Sequence, residues 1–182
     1  MIVIPITDDL IPDLEVFCQK AWKLGYTNNS SLKAMRYDWC KENGEYYCAI
    51  KDDRIIAVAG CHILPEVGDD AWRILFRGCE LPGTSPYKGL NKGDWNSVTQ
   101  RDFIPKFIDY IPSKNLYIST NTSNEHSGKA LRNHRLMNIL AKQKDAYIDN
   151  MGDMILNHTH QTIWKLNIDQ YLNRRSKLNG MV

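Results

Sequence analysis

One stretch of the chain has the residue types that suit a phosphate anion. It is Lys88-Gly89-Leu90-Asn91-Lys92-Gly93, inside the longer run PGTSPYKGLNKGD that starts at Pro82. A diphosphate needs several convergent N–H donors and a backbone that can come close to it. Glycine allows the approach, and the N-terminus of a following helix offers free N–H groups and a favourable field. Gly89 and Gly93 meet the first need, Asn91 lies between them, and Lys88 and Lys92 add point charges. An ordinary surface loop is the competing reading of the same residues.

Other residues with chemical potential are scattered. His158 and His160 alternate on what reads as an extended segment, so both rings would share a face, with Asp153 close in sequence. A metal needs a third and fourth ligand at a known spacing, and the sequence offers none, so no metal is expected. His62 reads as a partly buried strand residue, and His126 and His134 as residues on an exposed helix face. The five cysteines, Cys18, Cys40, Cys48, Cys61 and Cys79, form no CxxC pair, and their odd number points to reduced, mostly buried thiols. Lys129, Arg132, Arg135, Lys142 and Lys144, with Arg174, Arg175 and Lys177, make either a solvated basic face or a patch for an acidic substrate or nucleic acid. The net charge of +2 is too small to favour the nucleic acid.

These residues need a scaffold. The chain has 182 residues, 43% of them apolar, which fills one core and predicts a single domain over 1–182 with a polar basic tail from about Asp169. The opening MIVIPITDD lacks a basic start, and no window approaches the about 20 apolar residues of a membrane span, so a soluble cytoplasmic protein without membrane contact is expected.

The apolar pattern predicts a strand at 2–6 and a helix entered through Thr7, Asp8 and Asp9. Leu10, Ile11, Leu14, Phe17, Cys18 and Ala21 recur there at helical spacing. A second helix is predicted over 31–40. Strands at 45–50 and 55–63 flank the charged turn Lys51-Asp52-Asp53-Arg54 as a hairpin. A strand over 71–81 precedes the glycine-bearing loop. Apolar residues run consecutively in the strands over 55–63 and 71–81, which suggests cover on both faces. The helix after the loop carries Pro105, which predicts a kink or break near Asp102. A strand at 115–120 leads to a capping box from Thr122 to Glu125 and a helix to about Lys144. Strands at 146–149 and 162–168 and a short helix in the tail complete the order. That order fits neither strict βαβ alternation nor an all-β pattern. It fits an α/β fold with a mixed sheet of about seven strands and helices on both faces.

Three stretches give the order a family likeness: IVIPITDDLIPDLEVF at the start, the hairpin YYCAIKDDRIIAVAGCHIL, and the 71–81 strand with its loop and helix. Over about residues 2 to 168 the chain resembles a divergent member of the GNAT superfamily of acyl-CoA N-acyltransferases. The resemblance implies acetyl-CoA, or another acyl-CoA, as co-substrate, with its diphosphate on the amides of the 82–95 turn. It implies transfer of the acyl group to an amine on a small molecule or a protein, with nucleic acid the less favoured partner and a homodimer left open.

In site terms the resemblance makes Glu80 the general base at the strand end. The backbones of Cys79 and Leu81 would pair with the pantetheine arm, where the strand of Cys79 splays from that of Tyr117. Asn121 or Asn124 would match the family's asparagine, and Ala130 and Leu131 its following helix. The chain departs from the family in two places. The glycine spacing differs, with Lys88 standing where Arg or Gln is expected. The family's tyrosine acid is replaced by Arg132, Asn133 or His134. Those departures keep open a GNAT-fold binding module without activity, and beside it an acyl-homoserine-lactone-synthase-like or nucleic-acid-modifying acyltransferase.

Overall fold

The computed structural model describes residues 1–23, 31–79, 98–122, 128–156 and 158–179. Seven strands form one mixed sheet: β1 Ile2–Pro5, β2 Gly44–Lys51, β3 Arg54–Ile63, β4 Trp72–Cys79, β5 Leu116–Asn121, β6 Ile148–Leu156 and β7 Thr159–Leu166. Their order across the sheet is β1-β2-β3-β4-β5-β7-β6. The β4–β5 pair is parallel, whereas β1–β2, β2–β3, β5–β7 and β6–β7 are antiparallel. Among the described residues no helix is long and apolar enough to cross a membrane. The chain divides into two compact units, Met1–Ile63 with Ile74–Pro112, and Leu64–Arg73 with Ser113–Val182.

In the first unit, a 3-10 turn at Asp8–Leu10 leads into α1, Ile11–Lys23. Pro12 is harmless there because a first-turn N–H has no helical partner to lose. Leu14, Phe17, Cys18 and Ala21 are buried, as their spacing demands. They pack with Met35, Tyr37, Cys40, Tyr46, Cys48, Ile55 and Val58 into one core. The single helix expected over 31–40 is instead two, α2 Leu32–Met35 and α3 Tyr37–Asn43. Arg36 sits between them at φ 56, a left-handed conformation that ends one helix before the next begins. Its guanidinium lies 4.5 Å from the centre of the Trp39 ring.

The β2–β3 hairpin follows the sequence closely. Lys51 pairs with Arg54 across a two-residue loop. Asp52 and Asp53 have φ 52 and 54, as a type I′ turn requires. All of β3 from Ile55 to His62 is buried, which accounts for its unbroken apolar run. Gly44 is required by close approach: a Cβ there would lie 1.9 Å from the Cys61 carbonyl oxygen. Helix α4 runs unbroken over Val98–Tyr110 with Pro105 inside it, so of the kink or break expected near Asp102 the break does not occur. An interior proline costs roughly 3 kcal/mol. Phe103, Phe107 and Ile108 are fully buried, and at about 1.5–3 kcal/mol each they outweigh that cost. Tyr47 packs edge-on against Phe107 with ring centres 5.5 Å apart, and the Tyr110 hydroxyl donates to the Val3 carbonyl at 2.9 Å.

In the second unit, the start of β4 pairs with β5 through Trp72↔Leu116 and Arg73↔Tyr117. The Ser113 hydroxyl bonds the Asp70 carbonyl at 2.9 Å and accepts from the Asn115 N–H at 2.9 Å, which pins both strand starts. Helix α5 covers Gly128–Ala141. The hydroxyl of Thr122, expected to cap it, donates to the His160 carbonyl on β7 at 3.1 Å, and Glu125 lies outside the described residues. Two strands are longer than, or displaced from, the expected 146–149 and 162–168. In β6, five consecutive exposed residues, Asp149–Asp153, and the bulge around Gly152 at φ 96 hide the alternation a strand normally shows. Helix α6, Ile168–Asn179, ends the described chain, with Tyr171 buried and Arg174 bonded to Gln143 at 2.6 Å.

Candidate active site

Strand β4 ends at Cys79 and α4 opens at Val98. The anion-binding candidates Lys88, Gly89, Asn91, Lys92 and Gly93 lie between, outside the described residues, as do Glu80, Leu81 and Asn124. Cys79 is the last residue of β4, and Asn121 is the last of β5, opposite Gln161 of β7.

The second unit builds a polar network on each face of its strands. Period-two alternation puts Ser119 and Asn121 on one face of β5 and Thr120 on the other. On the first face Gln161 is the organiser. Its Oε1 accepts from Ser119 Oγ at 2.5 Å and from Arg73 Nη2 at 3.0 Å. Its Nε2 donates to Thr159 Oγ1 at 2.8 Å and to the Leu156 carbonyl at 3.4 Å. With both ends of its amide engaged, Gln161 cannot rotate, and it fixes the half-buried Arg73 at the rung where β4 meets β5. Beside this network lie Leu64, Ala71, Tyr117, Leu156 and Ile163, a small apolar cluster.

On the opposite face, Thr120 accepts from the buried Trp164 Nε1 at 2.8 Å and bonds His134 Nδ1 at 3.2 Å. Asn138 Nδ2 lies 2.9 Å from His134 Nε2 and 3.1 Å from the His134 carbonyl. An amide nitrogen only donates, so Nε2 accepts and the ring proton sits on Nδ1, aimed at Thr120. His134 is therefore half-buried and bonded at both nitrogens, not on the exposed helix face the sequence suggested; its ring centre lies 5.8 Å from that of Trp164.

The other histidines are placed differently. His62 is buried in β3, with Nδ1 2.6 Å from the Ile63 carbonyl and its ring edge-on to Trp39 at 4.8 Å. His158 has φ 62 in the β6–β7 turn, so it does not continue an extended segment with His160, and Asp153 accepts instead from Thr162 Oγ1. His126 lies outside the described residues.

The thiols carry the clearest electrostatic signature. Burial pushes Cys48 and Cys61 up to about 12, Cys61 also feeling Cys40, and burial with the nearby Glu15 pushes Cys18 to about 11. These are poor nucleophiles, because the thiolate is the reactive form.

No protein-family model matches the sequence, and no curated protein does. Solved structures do match in shape. One, from Desulfovibrio desulfuricans and described as an acetyltransferase of the GNAT family, superposes with a TM-score of 0.52 at 8% identity, over 92% of this chain and 98% of that one. The aminoglycoside 6′-N-acetyltransferase of Enterococcus faecium superposes with a TM-score of 0.51 at 12% identity, over 92% and 97%. The chain has the GNAT fold. At these identities the likeness establishes architecture, and the residues of the site must be argued for this chain alone.

Residues the sequence reading passed over are Arg73, Ser119, Gln161 and the inward role of His134. Gln161 was hidden by the placing of the last strand from Thr162. Once β7 starts at Thr159, the alternation Thr159, Gln161, Ile163 is visible.

Proposed function

We propose that the protein is an N-acyltransferase that moves an acetyl or related acyl group from acyl-CoA to an amine. The GNAT fold carries this reading, since the two superposing structures are described as acetyltransferases. It is supported by the order along the chain, in which a stretch with the glycines and lysines a diphosphate site would need falls between β4 and α4.

In this reading the neutral amine nitrogen of the acceptor attacks the thioester carbonyl carbon. A new C–N bond forms and the C–S bond breaks. Glu80 takes the proton the amine loses, directly or through water, and a proton is delivered to the departing thiolate sulfur. A backbone N–H of the Cys79–Leu81 stretch donates to the carbonyl oxygen as its charge develops. Asn121 orients the cofactor arm from the end of β5. Gln161 and Arg73 keep the Arg73–Tyr117 rung of β4 and β5 fixed.

The test is a thermal melt with and without acetyl-CoA, using wild type and Glu80→Gln. A ligand at 100 times its Kd stabilises the native state by about 2.7 kcal/mol. At this chain length that is a shift of roughly 5–10 °C. Both proteins should show it, while Glu80→Gln loses roughly 100-fold or more in transfer to an amine. No shift with millimolar acetyl-CoA would overturn the reading and leave a GNAT-fold binding module. A shift with undiminished transfer by Glu80→Gln would remove Glu80 as the base.

A further inference from the structure

Arg73 reaches well beyond its own rung of the sheet. It pairs with Tyr117 on β5, whereas Gln161 stands opposite Asn121, four residues further on. At about 3.3 Å per residue those rungs lie about 13 Å apart. Arg73 Nη2 nevertheless donates to Gln161 Oε1 at 3.0 Å, and Ser119 Oγ, midway along β5, donates to the same oxygen at 2.5 Å. The guanidinium is therefore carried along β5 from Tyr117 to Ser119, towards Asn121. Ser119 spends its proton on Gln161, and the Gln161 amide is engaged at both ends. A neutral amide thus holds the cation in place without cancelling its charge. The side chain is half-buried, where a charge attracts its opposite more strongly than in water. The other charged groups of β6 and β7 are placed differently. Lys165 shares the face but sits at the Tyr117 rung, opposite Asp149. Asp153 and His160 lie on the opposite face by strand alternation. Before β4, Asp70 accepts from Ser113, and Glu66 and Asp69 are exposed.

We propose that Arg73 binds a substrate carboxylate, supplied either by the acyl group of the CoA thioester or by the acceptor amine. The inference rests on the acyltransferase reading, in which Asn121 orients the cofactor arm. Arg73 is brought along the same face of β5 towards Asn121, so an anion held there lies beside the arm that carries the acyl group. A planar guanidinium meets a carboxylate with two parallel N–H donors, a match the point charge of lysine does not offer. An acetyl group has no charge for Arg73 to meet. A dicarboxylic acyl group such as succinyl carries one at its far end, and an amino acid carries one next to its amine. Arg73 determines specificity in this arrangement, because it touches the substrate away from the bonds that form and break. Its fixing by Gln161 sharpens the choice, since the side chain is ordered before the ligand arrives.

Isothermal titration tests it on wild type, Arg73→Met and Gln161→Glu, each checked for folding by far-UV spectrum and thermal melt. One arm compares succinyl-CoA with acetyl-CoA. The other compares glycine with glycinamide in the presence of saturating CoA. Wild type should favour the carboxylate-bearing partner roughly tenfold in one arm, and that arm identifies the source. Arg73→Met should bring the ratio to about one. Gln161→Glu keeps an acceptor for Arg73 and gives the guanidinium a carboxylate of its own, so the ratio should fall in the same way. That variant decides the matter where Arg73→Met does not fold. Wild type that binds acetyl-CoA and shows no preference in either arm overturns the inference and leaves the acyltransferase reading standing. So does a preference that survives Gln161→Glu. Wild type that binds neither acyl-CoA overturns the acyltransferase reading, and the inference with it.

Discussion

Raising the pH should unfold this protein from its thiols. Cys18, Cys48 and Cys61 are fully buried, and burial holds their titration at about 11, 12 and 12 against an ordinary value of 9.0. Between pH 9 and 11 the unfolded chain has therefore lost protons that the folded chain keeps. The unfolded state binds fewer protons, so stability falls as pH rises. Below pH 9 the contribution is fully present. Each thiol gives a slope that rises from about half of 1.4 kcal/mol per pH unit at pH 9 to nearly all of it at pH 10, so three together remove about 3 kcal/mol between pH 9 and 10. That is a large part of the roughly 5–15 kcal/mol a domain possesses. Tyr47, held by burial at about 12, extends the loss above pH 10. The assay is urea unfolding under reducing conditions at half-unit steps from pH 7.5 to 10.5, on wild type and Cys48→Ala. The variant should start lower, because a buried group is removed, and then lose stability about one third more gently. A stability constant from pH 8 to 10, or a slope unchanged by Cys48→Ala, would refute the reasoning.

Two further predictions concern named contacts. Thr120→Val leaves Trp164 Nε1 and His134 Nδ1 without the oxygen they share, and should cost about 1–3 kcal/mol in chemical denaturation; an unchanged midpoint would mean the network is not formed. Asp53→Gly at the second position of the type I′ turn should stabilise the fold by about 0.5–1 kcal/mol, read as a raised melting temperature, since glycine takes positive φ without strain.

Local chemistry explains which elements were readable from the sequence. The β2–β3 hairpin was legible because its turn is polar and its strands are apolar, and the structure keeps the predicted ends to within a residue. Helix α1 was legible from the spacing of Leu14, Phe17, Cys18 and Ala21. Arg36 was not, because nothing local marks an arginine for a left-handed turn; its position over Trp39 is a tertiary fact. Pro105 misled for the opposite reason. The local rule is right about the lost hydrogen bond, but burial of the phenylalanines around it decides the outcome. Strand β6 was foreshortened because an edge strand with five exposed positions and a bulge carries no alternating pattern.

Of the candidate site, the flanking strand and helix were legible in the sequence, and the run with glycines and lysines between them lies outside the described residues. The site's polar organisation was not legible, and the reason is geometric. Gln161 acts by joining Arg73 of β4, Ser119 of β5 and Thr159 of its own strand, residues far apart in sequence that only the sheet order makes neighbours. His134 likewise gains its meaning from Thr120 and Trp164 across a helix–sheet contact. A residue that works by touching three strands has no motif to announce it. A residue that works through the backbone of one loop does. The candidate anion-binding stretch could therefore be nominated from composition, whereas the groups that hold the start of β4 against β5 could be found only once register was known.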